Sequence, residues 1–329
     1  MAAGKCMIGV DLGGTKILAA VVDPAGRILA RAKADTPAAD GLEAIARRMR
    51  ELADEALKMA AIGWESVGDV GCAVPSAVDP ATGVVLHSPA LNWRNQAARP
   101  AFEKAFGRKV FLDNDVNCGV LAEARLGAGR GVSCLAGYFV GTGTGGGIVI
   151  NGRLHRGRRG CAGELGHEIV QHHGRRCGCG KRGCLEAYCS KTAFARRLNK
   201  LVGKLGMRSM IADSLGKDNT VKSKALAKAY RAGDPVVCRV VDKGAAMLGV
   251  AVANLMAVLA PDRIVLGGGV MEAFGAELLP KVRASAEQHL FGLGPADLDL
   301  RLSELGDDAV PLGAALLPAE AAGTGGGRG

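Results

Sequence analysis

Aromatic side chains are scarce: two Trp, three Tyr and seven Phe make up only 4% of 329 residues. Set beside 48% hydrophobic residues and 49 glycines, that scarcity argues for an α/β core of Ala, Val, Leu and Gly, rather than a β-sandwich or a disordered chain. No apolar run reaches the ~20 residues that span a bilayer. The opening MAAGKCMIGVD runs almost directly into a strand and leaves no signal peptide, so the expected location is the cytoplasm, with no membrane partner. There is no G-x4-G-K-[ST], and no G-x-G-x-x-G after the first strand, which argues against a Walker A loop and a Rossmann dinucleotide site. Acidic residues are outnumbered, 32 against 42 Lys and Arg, for a net charge of +10. Much of the excess lies in one run, from Arg153 through Arg156, Arg158, Arg159, Arg175, Arg176 and Lys181 to Arg182. Such a run serves as a solvated face, or attracts an anionic substrate or a nucleic acid. No base-stacking aromatics are interleaved there, so nucleic acid is not an expected partner.

Of ten cysteines, seven (Cys6, Cys72, Cys118, Cys134, Cys161, Cys189, Cys238) lack paired spacing and read as free thiols in a reducing compartment. The other three follow a histidine. His167, Cys177, Cys179 and Cys184 are spaced H-x9-C-x-C-x4-C. One imidazole and three thiolates complete a tetrahedral zinc shell with no open position, which suits a structural metal rather than a hydrolytic one. Cys189, His172 and His173 lie nearby as alternative ligands. Glu164 and Glu186 flank the set, so a metal that folds this loop also fixes two carboxylates.

Hydrophobic patterning predicts an opening antiparallel meander: Met7–Asp11, the turn LGGTK, Ile17–Val22 and Arg27–Arg31. A helix is expected over Gly41–Ala60, and strands over Gly68–Pro75 and Lys109–Leu112. Asp113–Asn117 then sits at a strand end, with a helix over Val116–Leu126 and Asn117 or Asp115 as its N-cap. A second strand, glycine turn and strand follow at Leu135–Val140, Gly141–Gly147 and Ile148–Ile150. Helical stretches begin near Leu185. A long apolar helix is expected over Pro235–Ala260, a strand over Arg263–Leu266 leading into LGGGV, and a last helix over Ala309–Ala321. The strand–glycine-turn–strand unit thus occurs twice, which suggests two related lobes.

The turn Asp11–Lys16 combines glycines Gly13 and Gly14, the Thr15 hydroxyl and the Lys16 cation, a set suited to an oligophosphate. The turn with Thr142, Gly143, Thr144 and Gly145 offers the same backbone groups and two hydroxyls. Gly268 and Gly269, between a strand and a helix, could hold phosphate at a helix N-terminus or let an adenine ring approach. Asp11 beside phosphates calls for an intervening Mg²⁺, or else caps the turn. One carboxylate at a strand tip, from DNDVN, is what a kinase needs as general base.

Taken together, GVDLGGTK, LDNDVNCGVLAEARLGAG, GTGTGGGIVINGRL, GELGH, CGCGKRGCLE and IVLGGGV resemble the ROK family of bacterial sugar kinases and repressors over nearly the whole chain, from about Met7 to Leu317. The resemblance implies an α/β fold of two RNase H-like lobes of the actin/hexokinase superfamily, with the active site in the cleft between them. It implies a small lobe of 1–122 completed by a C-terminal helix at 306–322, and a large lobe of 123–305 with a zinc segment at 164–186; residues 323–329 are expected to form a disordered tail. It further implies ATP with Mg²⁺ as co-substrate, structural Zn²⁺, a hexose substrate phosphorylated at its 6-hydroxyl, and Asp115 as base. Asn114, Asp115, Glu164, His167 and Glu186 would bind the sugar, with His167 shared between zinc and sugar. Gly9–Lys16 and Gly143–Ile150 would hold the phosphates, and Gly267–Gly269 would lie near the adenosine. Glucose is the expected sugar; fructose, mannose, N-acetylglucosamine and N-acetylmannosamine are alternatives, as is polyphosphate for the donor. Ser76 and Ala90 stand where the family often has Gly and Asn, and both bear on which sugar fits. A homodimer or homotetramer is implied. A sugar-responsive repressor is the remote alternative, disfavoured because only six residues precede the first strand, too few for a helix-turn-helix domain.

Overall fold

The computed structural model describes residues 5–75, 77–216 and 218–322. Ser76 and the expected tail at 323–329 lie outside the described residues. Along the chain come β1 (Cys6–Leu12), β2 (Lys16–Val22), β3 (Ile28–Asp35), α1 (Leu42–Met59) and β4 (Val67–Val74). Then follow β5 (Ala77–Asp79), β6 (Val84–Ser88), β7 (Trp93–Ala97), α2 (Arg99–Phe106), β8 (Val110–Asn114) and α3 (Asp115–Leu126). Next are β9 (Cys134–Val140), β10 (Thr144–Ile150), β11 (Arg153–Leu154), α4 (Lys191–Leu198), α5 (Ser223–Arg231) and α6 (Pro235–Leu259). The last elements are β12 (Arg263–Gly267), α7 (Gly269–Glu287), β13 (Leu300–Leu302) and α8 (Ala309–Ala322).

The chain divides into two compact units. The first comprises Met1–Leu126, Gly152–Ala162 and Asp308–Gly329; the second comprises Gly127–Asn151 and Gly163–Asp307. Each has its own apolar core, around Ile8, Met49, Phe102 and Phe106 in the first and Tyr138, Phe194, Leu248 and Phe274 in the second.

In the first unit the main sheet runs β3-β2-β1-β4-β8. β1 pairs antiparallel with β2, and β2 with β3, whereas β1–β4 and β4–β8 are parallel. α8 packs on this sheet through small residues. A Cβ at Gly9 or Gly71 would strike the backbone of Pro311 or Ala314, so the helix lies against bare strand. The second unit repeats the plan over β10-β9-β12-β13: β9–β10 antiparallel, β9–β12 and β12–β13 parallel. The repeat bears out the two-lobe reading at the level of strand order.

Three details depart from the sequence reading. β8 continues through Asp113 and Asn114, because Asn114 still pairs with Val74 of β4. β10 starts at Thr144, so the glycine turn is only 141–143, and Gly145 pairs within the ladder, opposite Phe139. A three-stranded antiparallel sheet, β5-β6-β7, went unpredicted; its strands are short and carry Asp79, His87, Arg94 and Asn95 among the apolar residues.

Candidate functional site

In the first unit, parallel pairing puts the carboxyl ends of β1, β4 and β8 at one edge of the sheet, the edge where open α/β sheets bind ligands. Asp11 lies there, paired with Ala73 of β4, and Asn114–Asp115 emerge there from β8. The field at Cys118, one turn into α3, registers this crowding. Burial pushes its thiol well up, the Asp113 and Asp115 carboxylates push it further, and Asp11 adds to the effect against Arg156.

The expected N-cap of α3 is corrected. The cap is Asn114, whose Oδ1 accepts from Val116 N at 2.9 Å and Asn117 N at 3.1 Å. Asp115 is the first helical residue, and its Oδ1 accepts from Val116 N at 2.8 Å. Asn117 instead donates through Nδ2 to Asp113 Oδ1 at 2.9 Å. The capping geometry fixes the turn that carries Asp115.

The DLGGTK turn is closed by Gly13 N donating to Lys16 O at 2.9 Å. Thr36 fastens it from β3's end: its hydroxyl donates to Gly13 O at 2.7 Å and its amide to Thr15 O at 2.8 Å. Thr15 and Lys16 remain exposed. Gly14 packs against Ala90; a Cβ on Gly14 would lie 2.6 Å from the Ala90 methyl. A larger residue at 90 would therefore press on the turn.

In the second unit, His167, Cys177, Cys179 and Cys184 bring one donor atom each to within 4.8 Å of one another. Cys179 Sγ and Cys184 Sγ are 3.7 Å apart, and Cys177 Sγ is 3.8 Å from His167 Nδ1. A zinc–sulfur bond of about 2.3 Å gives a tetrahedral edge of about 3.8 Å, so the donor set and its spacing both fit zinc. A small hairpin makes the arrangement: Arg176 bridges Arg182, and Ile169 bridges Cys184. Cys189 stays outside the group; burial pushes its thiol up to about 12. The His172 and His173 rings lie 3.8 Å apart, tilted at 53° to each other, and take no part in it.

Glu164 is exposed and begins the turn that carries His167. The next residue, Glu168, anchors that turn: Asn254 Nδ2 of α6 donates to it at 2.7 Å and Tyr138 Oη of β9 at 3.3 Å. Burial holds its carboxyl above the usual range despite these two donors.

Glu186 links metal set and glycine turn. Its Oε2 accepts from Thr144 N at 3.1 Å, and its Oε1 lies 3.4 Å from Cys177 Sγ. The Thr144 hydroxyl does not face outward for a ligand; it donates to Cys189 O. Thr192, in the first turn of α4, holds the turn from the other side, donating to Thr142 O through both amide (3.2 Å) and hydroxyl (2.9 Å). Thr142, Gly143, Arg176, Cys177, Thr192 and Arg196 line one cavity of about 240 Å³. Two guanidiniums beside a glycine turn favour an anion there, although the Glu186 carboxylate shares the same lining. Arg196 had no signal in the sequence, since one cation on a short helix reads as surface. Gly268 caps α7, with Gly269 opening the helix.

The basic run proves heterogeneous. Arg158 and Arg159 are exposed. Arg175 lies over the Tyr188 ring at 4.6 Å. Arg156 is largely buried against Asp113, so it belongs to the interior of the first unit and not to a solvated face.

The sequence pattern of the ROK family matches residues 7–321. The chain belongs to the ROK family. Among ROK relatives it is 36% identical to the glucokinase of Thermotoga maritima, over 94% of this chain and 96% of that one. It is similar to the ROK hexokinase of Thermus thermophilus, with a TM-score of 0.81 and 34% identity over 97% of this chain and 100% of that one. It is equally similar to a ROK glucokinase of Streptomyces griseus solved with glucose and AMPPNP, with a TM-score of 0.80 and 33% identity over 94% and 98%. The ROK fold thus accounts for the repeated strand order.

Proposed function

We propose that the protein is an ATP-dependent hexose kinase that converts glucose to glucose 6-phosphate, with Asp115 as general base. The observation that carries this is the position of Asp115: just past the carboxyl end of β8, on a turn capped by Asn114, at the same sheet edge as Asp11. The ROK relatives named glucokinase and hexokinase support the same reading.

In this reading Asp115 takes the proton of the sugar 6-hydroxyl as its oxygen attacks the γ-phosphorus; the new O–P bond forms while the bond to the ADP oxygen breaks. Asn114 and Asp115 of the first unit, and Glu164, His167 and Glu186 of the second, are the proposed sugar contacts. The turns at Gly13–Lys16 and Thr142–Gly145 are the proposed phosphate contacts, with Gly268 and Gly269 toward the adenosine. Asp11 would hold Mg²⁺, whose part is to neutralise charge on the phosphates. His167, Cys177, Cys179 and Cys184 would hold Zn²⁺, which supplies structure and no chemistry. The Nδ1 of His167 faces the thiols, leaving Nε2 for a sugar hydroxyl.

The test is a coupled ADP-release assay over glucose, fructose, mannose and N-acetylated amino sugars, with ATP and polyphosphate as donors. Glucose with ATP should give the highest kcat/KM. Asp115→Asn should lower kcat at least ~10²-fold; near-wild-type turnover in that variant rules out Asp115 as base.

A further inference from the structure

Asp113, directly before the two residues proposed to meet the sugar, is 2% exposed and fully engaged. Its Oδ1 accepts from Asn114 N at 2.8 Å and from Asn117 Nδ2 at 2.9 Å. Its carboxylate therefore grips the chain on both sides of Asp115. Its Oδ2 accepts from Arg156 Nε at 2.6 Å, a short charge-assisted bond between side chains only 21% and 3% exposed.

Arg156 is fastened in turn. Its second arm, Nη1, lies 3.6 Å from Glu320 Oε1 of α8. Leu154 N donates to the same oxygen at 2.9 Å, and Arg125, in the last turn of α3, reaches Glu320 Oε2 at 3.6 Å. Arg125 also donates to Gly152 O at 2.6 Å. The excursion 152–162 is thus clasped to the end of β8, to the last turn of α3 and to α8.

We propose that Arg156 is a positioning residue for phosphoryl transfer: by fixing the Asp113 carboxylate it holds the Asn114–Asp115 turn in one conformation. The inference rests on the kinase reading above. A buried ion pair is a poor stabiliser compared with an apolar replacement of equal volume, so this placement, two residues from the base, points to geometry as its purpose. Lysine keeps the charge but not the two-armed fork that spans Asp113 and Glu320.

The experiment compares the full-length wild type with Arg156→Ala, Arg156→Lys and Asp115→Asn. It measures kcat, KM for ATP, thermal midpoint, and rate with added guanidinium at low millimolar concentration. A displacement of about 1 Å at a reacting group can cost on the order of 10²-fold. Arg156→Ala should therefore lose about tenfold or more in kcat, with KM for ATP within about twofold, and guanidinium should restore part of the rate. Arg156→Lys should show a smaller loss of the same kind. If Arg156→Ala fails to fold, Arg156→Lys decides. Unchanged kcat in a folded variant overturns the proposal, as does a fall in kcat that tracks the thermal midpoint and is not rescued. If Asp115→Asn itself retains turnover, the kinase mechanism has failed; if Asp115→Asn is inactive while the Arg156 variants are normal, only the positioning role has.

Discussion

At Gly143 an added methyl group would press on a single carboxylate oxygen. A Cβ built there meets Glu186 Oε2, the oxygen that accepts from Thr144 N, whereas a Cβ at Gly141 meets nothing within 4 Å. Gly143→Ala should therefore swing the carboxylate away and free the Thr144 amide. A hydrogen bond to a charged group is worth about 1.5–3 kcal/mol, so kcat/KM for ATP should fall at least about tenfold, and Gly141→Ala should fall far less. Equal effects in steady-state assays of the two variants would mean that the Glu186 contact does not shape the site. The sequence presented GTGTGGG as one uniform turn; only strand pairing shows that Thr144 and Gly145 already lie in β10. In the same way DNDVN offered two candidate caps, Asp115 and Asn117, and one candidate base. The acceptor chosen by the backbone, Asn114, depends on β8 running two residues further than its apolar stretch.

Among the elements, the clustering of His167, Cys177, Cys179 and Cys184, the proposed zinc ligands, was the most legible feature and the sheet β5-β6-β7 the least. Ligand spacing survives in a sequence because coordination geometry fixes it. Strands of three to five residues with charged and apolar residues mixed leave little period to read. The hairpin that carries the cysteines is small: backbone bonds such as Cys177 N to Lys181 O (2.8 Å) and Gly183 N to Arg175 O (2.9 Å) close it, and its arms join through isolated bridges. Metal binding in such a segment is a large part of its folding free energy. Cys177→Ala should lose zinc in elemental analysis, lower the thermal midpoint, and raise KM for glucose about tenfold or more. Zinc loss with stability and sugar affinity intact would remove the scaffold role assigned to the cluster.

For the molecule as a whole, the doubled strand–turn–strand pattern made the two-lobe plan readable from sequence. Its discontinuity was not, because nothing in RLHRGRRGCA (Arg153–Ala162) states that it belongs with residues 1–126. Arg156 shows why: an arginine only 21% exposed is hidden in sequence among the exposed arginines beside it. α8 is the other distant contribution to the first unit. Pro311, Ala314 and Ala315 lie against Gly9 and Gly71 of the sheet, and Glu320 anchors the clasp. A chain ending at residue 307 should expose that face and lose several kcal/mol, comparable to the ~5–15 kcal/mol of a whole domain. Limited proteolysis should then digest the first unit while sparing the second. Undiminished resistance of 1–126 in that truncation would show that the helix is dispensable.

The three-part first unit also has a consequence for synthesis. Its sheet leaves the ribosome early, yet its covering helix is translated only after the entire second unit. At ~5–20 residues per second, an interval on the order of ten seconds or more separates α3 from α8. During that time the face around Gly9 and Gly71 lacks its partner and is open to chaperones or to mispairing, while the second unit can already fold. The first unit to be translated is therefore the last to be completed.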